Sequence, residues 1–167
     1  QGGVHFGMAA GGTTVYVPIN DMNDTRNGEW LDPETARPGV SAVDAVTGEV
    51  LWSHVQEDVC GEGRPFCDPG VSAAITATDG AVIAGHLDGI IRIYDGPTGD
   101  IIWSYDTTTP VEGTNGVTAK GGGMSGSGPA LGAGHMVINS GYGLYNHEAG
   151  NALLVFAPKS SGTVSAR

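Results

Sequence analysis

Hydrophobic positions in this chain fall in short runs broken by Gly, Asp and Asn, the pattern of strands joined by tight turns. One pattern occurs twice. Residues 41–54 read SAVDAVTGEVLWSH and residues 92–105 read RIYDGPTGDIIWSY. Each copy is an apolar run, Asp, two residues, Thr-Gly, a second apolar run and Trp-Ser. Asp44 and Asp95, Gly48 and Gly99, and Trp52 and Trp103 all stand 51 residues apart. The pattern predicts a hairpin. The Asp side chain accepts backbone N–H groups at the turn, and Gly supplies the positive φ that closes it. A Trp at a fixed place in each copy predicts a wedge between one repeat and the next, with Trp52 and Trp103 in equivalent buried places. A hairpin repeated at this period predicts a radial array of small sheets, a β-propeller.

Taken in order, the chain divides into three units. The first spans about residues 4–54, with strands at 4–10 and 13–19, a polar insertion at 20–38, and the hairpin as strands three and four. Residues 55–69 connect it to the second unit, 71–107, with strands at 71–78, 81–85, 90–94 and 101–105. Residues 107–127 form a Gly- and Thr-rich crossing loop. The third unit, 128–157, has strands at 128–131, 135–139 and 151–157 but lacks the Thr-Gly turn and the Trp-ending fourth strand. Residues 158–167 form a polar tail, expected to fray. The fold class is therefore all-β, with residues 1–157 a partial propeller of four-stranded antiparallel blades, about three of them present. Propellers have typically about 4–8 blades, so three do not close a ring. The expectation is the C-terminal portion of a larger propeller whose remaining blades complete the ring. The rival is a second copy closing a six-bladed ring. Gln1 in place of an initiator Met agrees with a mature or internal piece of a longer product.

Composition narrows the functional classes. Gly is very frequent at 29, yet hydrophobic residues reach 40%, which argues against disorder. Seven Lys and Arg against 18 Asp and Glu give a net charge of −11, which disfavours nucleic acid and anionic membrane surfaces as partners. No membrane-spanning run is present. Cys60 and Cys67, in CGEGRPFC, are expected to form a structural disulfide closing a small loop, stabilising by roughly 2–3 kcal/mol in the chain-entropy model. They lack the second pair or spaced His pair of a zinc site. A disulfide implies an oxidising compartment, periplasmic or extracellular. The run 20–24, NDMND, lacks the Gly that an EF-hand needs at its sixth position, where Arg26 stands, and reads as a surface loop. Neither a Ser-His-Asp signature nor a phosphate loop is found.

Residues 71–107 resemble a blade of the quinoprotein dehydrogenases, which use pyrroloquinoline quinone (PQQ). The likeness rests on Thr78-Asp79-Gly80, Gly85-His86-Leu87-Asp88-Gly89, the run Asp95 to Gly99, and Ile102-Trp103. GGVHFGMAA, PGVSAA, GHLDG and NSGYG, in that order, are most similar to the C-terminal blades of the polyvinyl-alcohol dehydrogenase branch. The resemblance implies an eight-bladed propeller with PQQ near the axis beside a calcium ion. It implies oxidation of primary, secondary or polymeric alcohols by hydride transfer to the quinone, with cytochrome c as electron acceptor. It places the catalytic carboxylate and the calcium ligands in earlier blades, outside this chain. The chain contains neither Cys-x-x-Cys-His nor the family's adjacent Cys pair. The alternative class is a non-catalytic propeller used for binding or assembly, since assembly propellers share the hairpin.

The resemblance also marks residues that would touch the cofactor. His5 lies in Gly-Gly-Val-His-Phe, where related enzymes aim a polar residue at the quinone. Ser72, in Gly70-Val71-Ser72, stands where relatives present backbone N–H groups, although their Trp is missing here. Gly122, Gly123 and Ser125, in GGMSGS, are placed to bring backbone close to a planar ring. These groups are expected to converge on one face. His86 and Asp88 are read as turn chemistry, and Tyr142 and Tyr145 as substrate contacts in a Gly-rich loop. His147-Glu148 has no spacing that marks a metal or an acid–base pair.

Overall fold

The computed structural model describes residues 2–21, 35–61, 64–143 and 145–159. Most of the polar insertion and of the NDMND run, and the tail from residue 160, lie outside the described residues. No helix occurs among those described.

Three antiparallel sheets follow one another, each a meander in chain order. Blade 1 consists of β1 (Ala9–Gly11), β2 (Thr14–Ile19), β3 (Gly39–Asp44) and β4 (Val50–Val55). Blade 2 consists of β5 (Thr76–Thr78), β6 (Ala81–Gly85), β7 (Ile90–Asp95) and β8 (Ile101–Asp106). A two-stranded ribbon, β9 (Val111–Glu112) with β10 (Thr118–Ala119), interrupts the crossing segment that reads as a plain loop. Blade 3 has β11 (Ala130–Gly132), β12 (His135–Ser140) and β13 (Ala152–Phe156), and no fourth strand among the described residues. The fold is a partial β-propeller.

The repeated hairpin folds as its residues dictate. Asp44 Oδ1 accepts the N–H groups of Val46 and Thr47, both at 2.8 Å, and these bonds hold its carboxyl below the ordinary value. In the second copy Pro97 has no N–H to give. Asp95 Oδ1 accepts instead from the Thr98 N–H and hydroxyl, each at 3.0 Å. Gly48 and Gly99 close the turns at φ +76° and +78°. The register shifts at Ala42/Val43 in one hairpin and at Ile93/Tyr94 in the other, the same place in both copies.

The core lies between the sheets. Tyr16, Val40 and Ala42 of blade 1 pack against Val71, Ile75, Val82, Ala84 and Tyr94 of blade 2. Ile83 and Ile91, on the opposite face of blade 2, pack against Met124, Met136 and Ile138. The period-2 alternation of a strand therefore serves two interfaces in blade 2. Val82, Ala84 and Ile91 are fully buried, and a buried Val or Ile contributes roughly 1.5–3 kcal/mol.

Two sequence expectations change. The innermost strands are short, because residues ahead of β1 and β5 bond to neighbouring blades rather than within their own sheet. The two tryptophans are also not equivalent: Trp52 is half-buried, and Trp103 is 36% exposed.

Candidate functional site

The segments leading into the first strand of each blade lie side by side. His5, Ser72 and Gly126 each stand four residues ahead of their strand's first residue, Ala9, Thr76 and Ala130. The Ile75 N–H donates to Gly7 O at 3.4 Å, and the Ala74 N–H to Gly126 O at 3.0 Å. Val71 N–H reaches back to Ile19 O and Met124 N–H to His86 O, both at 3.1 Å. Backbones approach this closely because the facing residues are small. A Cβ at Gly7 would meet the Ala74 Cβ at 3.4 Å, and one at Gly128 would meet Ala74 O at 2.5 Å.

This packing joins two of the sequence-derived residues. The Ser72 hydroxyl lies 3.0 Å from His5 Nδ1, and the Asn20 amide N–H donates to the same nitrogen at 3.4 Å. Ser72 and Asn20 are fully buried, while His5 is exposed. With Nδ1 accepting, the proton of a neutral His5 sits on Nε2, the nitrogen left to meet a ligand. Ser72 thus holds His5 in place. The Val71 N–H is spent on Ile19, so the backbone donor expected beside Ser72 is not free for a cofactor.

The glycine loop closes the same face. Gly122 N–H donates to Ser140 Oγ at 3.0 Å, and Gly123 N–H to Glu148 O at 2.8 Å. Both donors point into the protein, so these residues offer close approach rather than hydrogen bonds. Ser125 is buried in the same segment. Sequence reasoning gave His147 little weight, yet the structure sets it here. A Cβ at Gly123 would lie 3.0 Å from the His147 Cβ, and one at Gly143 only 2.9 Å. His147 is 8% exposed, and burial, then the nearby His5, hold its imidazole below its ordinary pKa. Its Nδ1 and the Oδ1 of Asn20 are both buried with no hydrogen-bond partner. Asn20 was likewise missed. The available signal was the parallel between Gly3-Val4-His5 and Gly70-Val71-Ser72, which flags one position in consecutive blades.

The rest of the neighbourhood is structural. Cys60 and Cys67 are disulfide-bonded. Their loop docks on blade 3, where the Glu148 N–H donates to Phe66 O at 3.0 Å. Arg64 donates to Asp88 O at 2.8 Å and pairs with Glu148, which also takes Lys120 at 3.2 Å. Asp88 pairs with Arg92 at 2.7 Å and accepts the Ile90 N–H; its burial raises the carboxyl, although Arg92 pulls the other way. His86 donates from Nδ1 to Pro69 O at 2.9 Å, so its Nε2 accepts the Tyr94 hydroxyl at 2.8 Å. Burial, with Arg92 nearby, holds His86 far below its ordinary pKa. Tyr142 and Tyr145 are exposed. Among the described residues no group of three or more His, Cys, Asp or Glu is placed to hold a metal ion. No helix is long and apolar enough to cross a membrane. A cleft of about 820 Å³ opens elsewhere, between blades 2 and 3, and is lined by Ile83, Trp103, Tyr105, Met136 and Phe156. Those walls lack the convergent polar groups found around His5.

A family model, PQQ_2, described as outer membrane protein assembly factor BamB, matches residues 8–133 and again 36–162. The chain belongs to the PQQ_2 family. Within reach of this family lie two polyvinylalcohol dehydrogenases. That of Pseudomonas sp is 34% identical over 166 residues, covering 93% of this chain and 25% of the relative. That of Sphingopyxis sp. (strain 113P3) is 36% identical over 152 residues, covering 89% and 22%. The quinohemoprotein alcohol dehydrogenase of Comamonas testosteroni superposes with a TM-score of 0.52 at 22% identity, over 81% of this chain and 17% of that one, a likeness of fold. The resemblance to the quinoprotein dehydrogenases and their polyvinyl-alcohol branch therefore holds. The PQQ_2 chain spans about a quarter of the length of the curated relatives it matches.

Proposed function

We propose that this chain is the C-terminal part of the propeller of a PQQ-dependent alcohol dehydrogenase, periplasmic or secreted, and that it forms part of the wall around the quinone. The observation that carries this reading is the alignment with the two polyvinylalcohol dehydrogenases over 93% and 89% of the chain. Primary, secondary or polymeric alcohols are the substrate class, and cytochrome c is the electron acceptor. The remaining propeller blades are the structural partner.

The residues present fit an edge of a flat, polar heterocycle. Buried polar atoms in folded proteins nearly always have partners, so Asn20 Oδ1 and His147 Nδ1 mark where a ligand's polar edge belongs. When bound, PQQ supplies an electrophilic carbonyl carbon that takes hydride from the alcohol. This chain's residues bind and orient. Ser72 and Asn20 fix the His5 ring, Gly122 and Gly123 let the backbone come close, and His147 sits between Gly123 and Gly143. Ser125 belongs to the same wall. No carboxylate near these groups is free for catalysis. Asp44 and Asp95 are bound in their turns, and Asp88 is held by Arg92. The catalytic carboxylate and the calcium ligands therefore belong to blades outside this chain.

A second reading follows from the family description: a propeller that assembles or binds other proteins without a cofactor. Denaturing the purified whole protein and examining the released small molecules by absorbance and mass spectrometry separates the two. Release of PQQ is expected. A protein that is dye-inactive and releases no quinone supports the assembly reading.

A further inference from the structure

We propose that His5 and His147, with Asn20 beside them, form an anion subsite that takes a carboxylate of the ligand, His147 acquiring a proton as it binds. The proposal deepens the quinone reading and rests on it, because PQQ carries carboxylates at its rim.

Three observations support it. His147 is 8% exposed and its Nδ1 has no partner, so the free protein leaves a buried polar atom unsatisfied. Such an atom costs about 1–3 kcal/mol, which a ligand relieves. His5 keeps its Nδ1 on Ser72 and turns the other ring nitrogen outward, so two imidazoles serve one place from two different blades. Charge there also runs against the rest of the molecule. The chain has only 7 Lys and Arg against 18 Asp and Glu, yet Arg64, Arg92 and Lys120 gather behind His147. Arg92 is matched by Asp88, whereas Arg64 and Lys120 share the single carboxylate of Glu148. The immediate surroundings are thus net positive.

The groups facing His147 set the direction of its response. His5 comes from blade 1, Glu148 is its chain neighbour, Arg64 comes from the disulfide loop, and Lys120 from the crossing segment. The Asp88–Arg92 pair lies behind Leu87, whose carbonyl borders Gly123. Asp21 lies against Gly2 at the edge of the His5 segment. In the free protein, burial and His5 keep His147 neutral. A carboxylate placed between the two rings reverses that balance, and its binding draws in a proton.

The test is calorimetric titration of PQQ, and separately of benzene-1,3,5-tricarboxylate, into the whole protein in two buffers of different ionisation enthalpy. The expected result is uptake of about one proton per PQQ, with affinity falling by up to about tenfold per unit as pH rises from about 6 to about 8. His147→Gln, which keeps a hydrogen-bonding group but no charge, should abolish the uptake and flatten the pH profile. His5→Gln, at an exposed position, should weaken binding while uptake at His147 persists. PQQ binding without proton uptake in the native protein, or with the same uptake in His147→Gln, overturns the subsite and leaves the quinone reading intact. Tight, pH-dependent binding of the tricarboxylate without any binding of PQQ keeps the subsite and overturns the quinone reading. Binding of neither overturns both.

Discussion

The chain contains two junctions between consecutive blades, and they are built differently from the same motif. At the first, Trp52 lays its indole over the turn of the next hairpin. Its Nε1–H donates to Gly96 O at 2.8 Å, and its ring lies where a Cβ on Gly99 would stand, 2.5 Å away. Tyr16 and Tyr94 flank it at ring distances of 6.0 and 6.5 Å, and His54 follows with a bond to Gly99 O at 3.1 Å. At the second, Trp103 occupies the same place in its blade but meets no such turn. It stacks on Tyr105 at 6.1 Å, touches the edge of Phe156 at 5.5 Å, and borders the open cleft. The motif is therefore half of a contact. The Trp of one hairpin is buried by the Asp-x-x-Thr-Gly turn of the next, and blade 3 has no such turn at β13.

The largest effect expected from this difference is at the tryptophans themselves. Trp52→Ala should destabilise by about 3 kcal/mol or more, and Trp103→Ala by roughly half as much, since truncating a large buried aromatic costs about 3–5 kcal/mol and Trp103 is already partly solvated. Denaturant unfolding of both variants checks this; equal losses would break the comparison.

The glycines give a smaller and sharper contrast. Gly48 and Gly99 share φ near +77°, so Ala at either is strained by about 1 kcal/mol. Around Gly48 there is open space, whereas at Gly99 the added methyl collides with Trp52. Gly99→Ala should therefore cost clearly more than Gly48→Ala, and combining it with Trp52→Ala should remove the excess. A double-mutant cycle measures the coupling.

The smallest effect is on pH. His86 lies beneath Tyr94, at the first junction only, and its folded pKa is well below the ordinary 6.5. The stability it contributes is complete above the unfolded value and is lost as pH falls toward the folded one, by up to about 1.4 kcal/mol per unit. Asp88 has the opposite sign, since its raised carboxyl favours the fold as pH falls. A local probe separates them. In a Trp30→Phe background, Trp52 fluorescence should respond to mild acidification below about pH 6.5, and Trp103 fluorescence should not. A response from both, or from Trp103 alone, would contradict the assignment.

Much of this was legible in the sequence, because local chemistry determines it. Asp44, Gly48, Asp95 and Gly99 announce their turns, and the 51-residue offset announces the blades. The lead-in segments were less so. Residues 71–75 are apolar enough to read as strand, but their partners are in other blades, and pairing between blades leaves no periodicity. His147 carried no local signal at all. It stands in a Gly-rich loop far along the chain from His5, and only the convergence of blades 1 and 3 brings the two rings together. The unequal burial of the tryptophans follows from the same limit, since a residue's environment depends on what the next blade provides.

The central claim is that this chain supplies part of a quinone wall and not a complete active site. Its most direct test is to express residues 1–167, add PQQ and calcium, and follow dye reduction with several alcohols alongside size-exclusion chromatography. No alcohol-dependent turnover is the expected result, with association through the free edge of β13, whose unpaired backbone groups seek a partner strand. Steady, alcohol-dependent turnover by a monomeric chain would show that the site is complete within these residues and would contradict the account.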